Sequence, residues 1–130
     1  MFKLRTSIAV IEAIVIAVVM AGCSNDTPSV KEIPSEYFPD VVLFDEGYLN
    51  EGDGMKVFIG GSGSCPPVIE GGKIEDDTVT LTIAELPANT ICTADYVMYG
   101  FDVKFSEPIG MLRAVEVIEQ RKTRTLSKLG

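Results

Sequence analysis

Residues 78–83 read Thr-Val-Thr-Leu-Thr-Ile. Three hydroxyl side chains alternate with three apolar ones, and a period of two puts Val79, Leu81 and Ile83 on one face of an extended chain. A helix would scatter them around its circumference, so this segment calls for a strand with one face in a core. Other segments share the signature. Val41-Val42-Leu43-Phe44 is a short β-branched and aromatic run, and Lys56-Val57-Phe58-Ile59 follows the turn-like Asn50-Glu51-Gly52-Asp53-Gly54. In 96–105, Val97, Tyr99, Phe101, Val103 and Phe105 share a face; 114–118 reads as a last short strand. Glu70-Gly71-Gly72-Lys73 and Glu75-Asp76-Asp77 punctuate these runs. After residue 23 no segment reads as a capped helix of three turns. The most helix-permissive stretch, 111–121, contains Val115, Val117 and Ile118, which favour strand. The expectation is an all-β domain, a small antiparallel sandwich or barrel of five to seven short strands.

The N-terminus has a different character. Lys3 and Arg5 precede an almost wholly apolar run at 8–21. A positive flank before a short apolar run is what the export machinery reads. The run is short for a membrane span, which takes about 20 residues. It ends in Val19-Met20-Ala21-Gly22-Cys23, which resembles the lipobox of bacterial lipoproteins: an aliphatic position, two small residues, then cysteine. Met20 stands where leucine is commonest in that family, and Glu12 interrupts the apolar run, but 13–22 is unbroken. The resemblance implies cleavage after residue 22, diacylglycerol on the thiol of Cys23, and an extracytoplasmic, lipid-anchored location on the cell membrane.

On this reading 1–22 is a signal peptide preceding the mature chain. Residues 23–39, with Pro28, Pro34 and Pro39, read as the lipidated N-terminus and tether. The β domain occupies 40–120, and 121–130, with Arg121, Lys122, Arg124 and Lys128, reads as a solvated basic tail. The formal charge is −8. Removing Lys3, Arg5 and Glu12, a net of about +1, makes the mature chain more acidic still. Such a surface repels phosphate backbones, so no nucleic-acid partner is expected.

Assigning Cys23 to lipid leaves Cys65 and Cys92 as an even pair in an oxidising compartment. Their separation of 27 residues closes a loop worth about 3.5 kcal/mol in the chain-entropy model. That is a large share of the stability of so small a domain, and a structural disulfide is the favoured reading. Redox chemistry wants a Cys-x-x-Cys motif, and zinc wants ligands this chain lacks. Gly61-Ser62-Gly63-Ser64-Cys65-Pro66-Pro67, followed by Cys92-Thr93-Ala94-Asp95-Tyr96, resembles small secreted lipoproteins of Gram-positive bacteria that carry Gly-Ser-x-Ser-Cys-Pro and Cys-Thr-Ala-Asp. The likeness spans 57–105. It implies a disulfide-bonded β domain in the envelope and brings no activity with it.

Catalytic constellations are missing. The chain has no histidine, which removes Ser-His-Asp and Cys-His catalysis and the commonest metal ligand. Residues 60–64 lack the lysine and following helix of a phosphate loop, and Ser64 occupies the fifth position where a nucleophile elbow needs glycine. The acid-rich stretch 50–54 with Asp45 and Glu46 is the best place for calcium, but its spacing suits a polar hairpin turn equally. Glu75-Asp76-Asp77 reads as a turn. Tyr96 and Tyr99 are candidates to mark a binding surface. No enzyme, cofactor or metal is expected. The leading expectation is a monomeric binding module for another envelope component. The alternative is a small-ligand or ion-binding accessory of a transporter or envelope enzyme.

Overall fold

A computed structural model of the chain describes residues 27–40, 42 and 45–129. The expected signal peptide at 1–22 and the expected lipidation site Cys23 lie outside the described residues. So does most of the strand expected at 41–44, of which only Val42 is described; it is buried, its N–H donating to Pro39 O at 3.0 Å.

The described residues form eight strands and no α-helix. They are β1 (Ser29–Ile33), β2 (Gly47–Asn50), β3 (Gly54–Gly61), β4 (Ile69–Glu75), β5 (Thr78–Ile83), β6 (Val97–Lys104), β7 (Ala114–Glu119) and β8 (Lys122–Lys128), with one 3₁₀ turn at Ser35–Tyr37. All lie in one nearly closed, barrel-like sheet in the order β1-β6-β3-β2-β8-β7-β5-β4. Pairing is antiparallel except for β2 with β8 and β5 with β7, which are parallel. The expectation of a purely antiparallel sheet of five to seven strands is corrected on both counts. β6 crosses to the other half of the sheet, between β1 and β3, leaving β5 and β7 side by side in the same direction.

The alternation at 78–83 is realised: Val79, Leu81 and Ile83 are buried and the threonines between them half-buried. Met55, Val57 and Ile59 of β3, Phe101 and Val103 of β6, Val115 and Val117 of β7 and Leu126 of β8 complete the core. Phe58 points to the other face of β3 and is buried there by different means. Its register partners on both neighbouring strands are glycines, Gly47 of β2 and Gly100 of β6. The ring fills the space they leave, and Phe38 packs edge-on against it at 5.2 Å. A Cβ on Gly100 would lie 2.7 Å from Phe38 and 2.9 Å from Phe58.

Two domain assignments are overturned. The expected tether at 23–39 contains β1, paired along its length with β6. Its flanking prolines, which read as breakers, bound a sheet-edge strand, where a missing N–H costs nothing. Pro28 is buried beside Gly72 of β4; a Cβ there would lie 3.3 Å from the proline ring. The two edge strands therefore approach each other at this point. The expected basic tail at 121–130 contains β8, which pairs with β7 over five residues and buries Leu126. Its backbone is recruited by the tight β7–β8 hairpin, whose central residues Gln120 and Arg121 both have positive φ. Neither is a residue that advertises such a turn.

Candidate functional site

The two cysteines meet at one pole of the barrel. Cys65 in the β3–β4 loop is bonded to Cys92 in the β5–β6 loop, with Cα atoms 5.6 Å apart. The residues on either side are tied together as well. Gly63 N–H donates to Asp95 Oδ1 at 3.0 Å, and Thr93 N–H donates to Ser64 Oγ at 2.9 Å. The Thr93 hydroxyl donates to Asp95 Oδ1. Its single proton is thereby used, so Ser62 Oγ donates to Thr93 Oγ1, at 2.8 Å. Tyr99, on the adjoining strand, donates its hydroxyl to Ser62 O at 2.8 Å. Asp95 is the acceptor that organises this knot. The Thr93 hydroxyl first, then Gly63 N–H, hold its carboxyl below the usual carboxylate range. Ser62, Gly63, Ser64, Thr93 and Asp95, from the two stretches that flank the cysteines, are thus each other's hydrogen-bonding partners. Their chemistry here is that of a lock between two loops.

Three apolar side chains stand exposed on the loops of this lock. Ile91 is 92% exposed, Val68 58% and Leu86 43%. All three lie on the two loops that the disulfide joins. Ile91 O lies 4.0 Å from Cys65 Sγ, and Val68 O accepts Ala84 N–H at 2.8 Å. Leu86 borders both a small cleft against Cys65, Pro66 and Pro67 and an open groove of about 360 Å³ that runs to Gln120 and Arg121. The sequence offered no sign of this patch, because single apolar residues among Pro, Asn and Thr carry no periodicity. Of the two tyrosines singled out, Tyr99 belongs to the lock. Tyr96 is exposed and lies over Gly60, where its ring occupies the place a Cβ would take. Partial burial first, then the charges of Glu46 and Asp45, raise its phenol above the ordinary value.

A second groove, about 430 Å³, lies beside Tyr96 and is lined by Asp45, Glu46, Thr125 and Ser127 among others. Its central carboxylate is already engaged. Glu46 Oε1 accepts Arg124 Nε at 2.9 Å, and Oε2 accepts Arg124 Nη2 and the Gly60 N–H, each at 2.8 Å. Arg124 Nη1 donates to Glu119 Oε1 at 2.9 Å. These partners, Glu46 foremost, hold the guanidinium more firmly protonated than usual.

The acid-rich stretch considered for calcium is a hairpin turn in which Asn50 and Glu51 are separately occupied. Asn50 Oδ1 accepts Gly52 N–H and its Nδ2 donates to Gly110 O, while Glu51 pairs with Lys56. Among the described residues no cluster of acids or cysteines is arranged to hold a metal ion, and no helix is long and apolar enough to cross a membrane. No family model matches this sequence, no curated protein matches it, and no solved structure matches its fold.

Proposed function

We propose that this chain is an exported, lipid-anchored envelope protein whose barrel acts as a non-enzymatic docking module for a protein partner. The observation that carries the docking reading is the trio Val68, Leu86 and Ile91 on loops held by the disulfide and its hydrogen bonds. An apolar surface on a mobile loop loses ordering entropy when it binds, and one already locked loses little. Three large apolar side chains left exposed on two loops joined to each other support an interaction site at this pole. Glu85 is already paired with Arg121 and Asp95 is held in the lock, so the complementary partner is recognised chiefly by an apolar surface. Small-ligand binding is less well supported, because both larger grooves are open and Glu46 is committed to Arg124 and Gly60.

The anchoring half of the proposal rests on the lipobox at 19–23. Mass spectrometry of the native protein is expected to show diacylglycerol on an N-terminal Cys23; an intact Met1 overturns it. The docking half is tested by a photo-crosslinking residue at Ile91 in intact cells, with Lys73 as a control on the barrel wall. A discrete protein adduct is expected from position 91 and not from 73, and Leu86→Asp should abolish it without lowering Tm. Equal adducts from both positions, or none from 91, count against docking.

A further inference from the structure

We propose that the pole opposite the disulfide rests against the bilayer surface, so that the apolar trio faces away from the membrane. This rests on lipidation at Cys23 and adds a direction to it. β1 enters the barrel at Ser29, which is in register with Lys104 at the end of β6, and Lys104 is in register with Gly54 at the start of β3. The chain therefore reaches the barrel at the pole formed by the β2–β3 turn, the β4–β5 turn and the β6–β7 loop. These parts belong together: Ile109 N–H donates to Gly52 O, and Arg113 N–H donates to Asp77 O. The disulfide loops flank the opposite ends of β3, β5 and β6.

The finding that residues 29–33 form a strand removes most of the expected tether. From Cys23 to Ser29 the chain can reach at most about 20 Å. The eight residues of β6 run about 24 Å along the strand from one pole to the other. The entry pole is thus kept within a short reach of the headgroups, and the strands hold the disulfide pole beyond it. The entry pole also offers apolar contact. Met111, in the β6–β7 loop, is 89% exposed, and Ile74, near the end of β4, is partly exposed. Met111 has no core to pack into and stands on the loop fixed to the β2–β3 turn, so an interfacial bilayer contact suits it.

The chain has no tryptophan, which permits single-tryptophan reporters. Full-length lipidated Met111→Trp and Ile91→Trp would be placed in phosphatidylcholine vesicles with bromine at shallow acyl positions. The expected result is that both proteins float with the vesicles, that the reporter at 111 is quenched at least twofold, and that the reporter at 91 is not. Flotation with equal quenching at both positions, or with more at 91, overturns the orientation while leaving the anchor intact. Failure to float overturns the anchor and the orientation with it. Flotation with no quenching at either position overturns the surface contact.

Discussion

At the scale of single residues, several side chains do work that their sequence neighbourhood does not announce. Arg124 stands in the segment that read as a tail, yet its fork joins Glu46 and Glu119. The pair with Glu46 is bidentate, the geometry that separates arginine from lysine. Arg124→Ala is expected to lower the unfolding free energy by about 1–2 kcal/mol, discounted for partial exposure. Arg124→Lys should recover less than half of that, as read by urea denaturation. Asp95 gives a test in pH. Its folded pKa lies below the ordinary value, so its contribution is fully present above the unfolded pKa, about 3.9, and is lost as pH falls through the folded one. Asp95→Asn should therefore reduce stability at pH 7 and flatten the dependence below about pH 4; an unchanged acid limb would show that the knot does not depend on that charge. Gly100→Ala should cost about 1–3 kcal/mol through overpacking, because its new methyl meets two aromatic rings.

At the scale of elements, what was legible followed from burial on one face. β5 and β6 declare themselves because alternate side chains enter the core, and Phe101 and Val103 are as buried as their spacing implies. β1 and β8 do not, because each buries almost nothing of its own. Val30 packs only partly against the core, and Leu126 is the one buried residue of β8. Such strands are defined by backbone pairing with neighbours far away in the chain, which no local pattern encodes. The lock was half legible: the cysteine pair follows from counting, while the Ser62–Thr93–Asp95 bonds require knowing that the two loops meet. Turns were legible as turns and not as conformations. Asp76 and Asp77 both have positive φ between β4 and β5, a conformation that aspartate tolerates and that asparagine followed by glycine suits better. Replacing the pair by Asn-Gly should raise stability by about 1 kcal/mol. The Asp77 carbonyl bond to Arg113 N–H survives the change, so a loss of stability in thermal unfolding would mean the carboxylates contribute more than the backbone strain removes.

At the scale of the whole molecule, the barrel consists of two four-stranded halves, β1-β6-β3-β2 and β8-β7-β5-β4. Few bonds join them. β2 and β8 are paired at only two positions, Gly47 with Ser127 and Tyr48 with Lys128, extended by Leu129 N–H to Tyr48 O. The Glu46–Arg124 pair straddles this seam, and Pro28 on Gly72 marks the other. The Cys65–Cys92 bond fastens together the two loops that cross between the halves, the one from β3 to β4 and the one from β5 to β6. Replacing both cysteines by serine should lower the unfolding free energy by about 3.5 kcal/mol, the chain-entropy value for a loop of this length. The halves share one apolar core, so the loss should appear as a lower urea midpoint with an unchanged slope. Hydrogen exchange should change unevenly: protection falls most in 62–68 and 84–96, where the lock opens, and least in β7, whose pairing lies within one half. If the slope falls markedly, the halves have come apart before unfolding, and the disulfide is then what makes this small barrel cooperative.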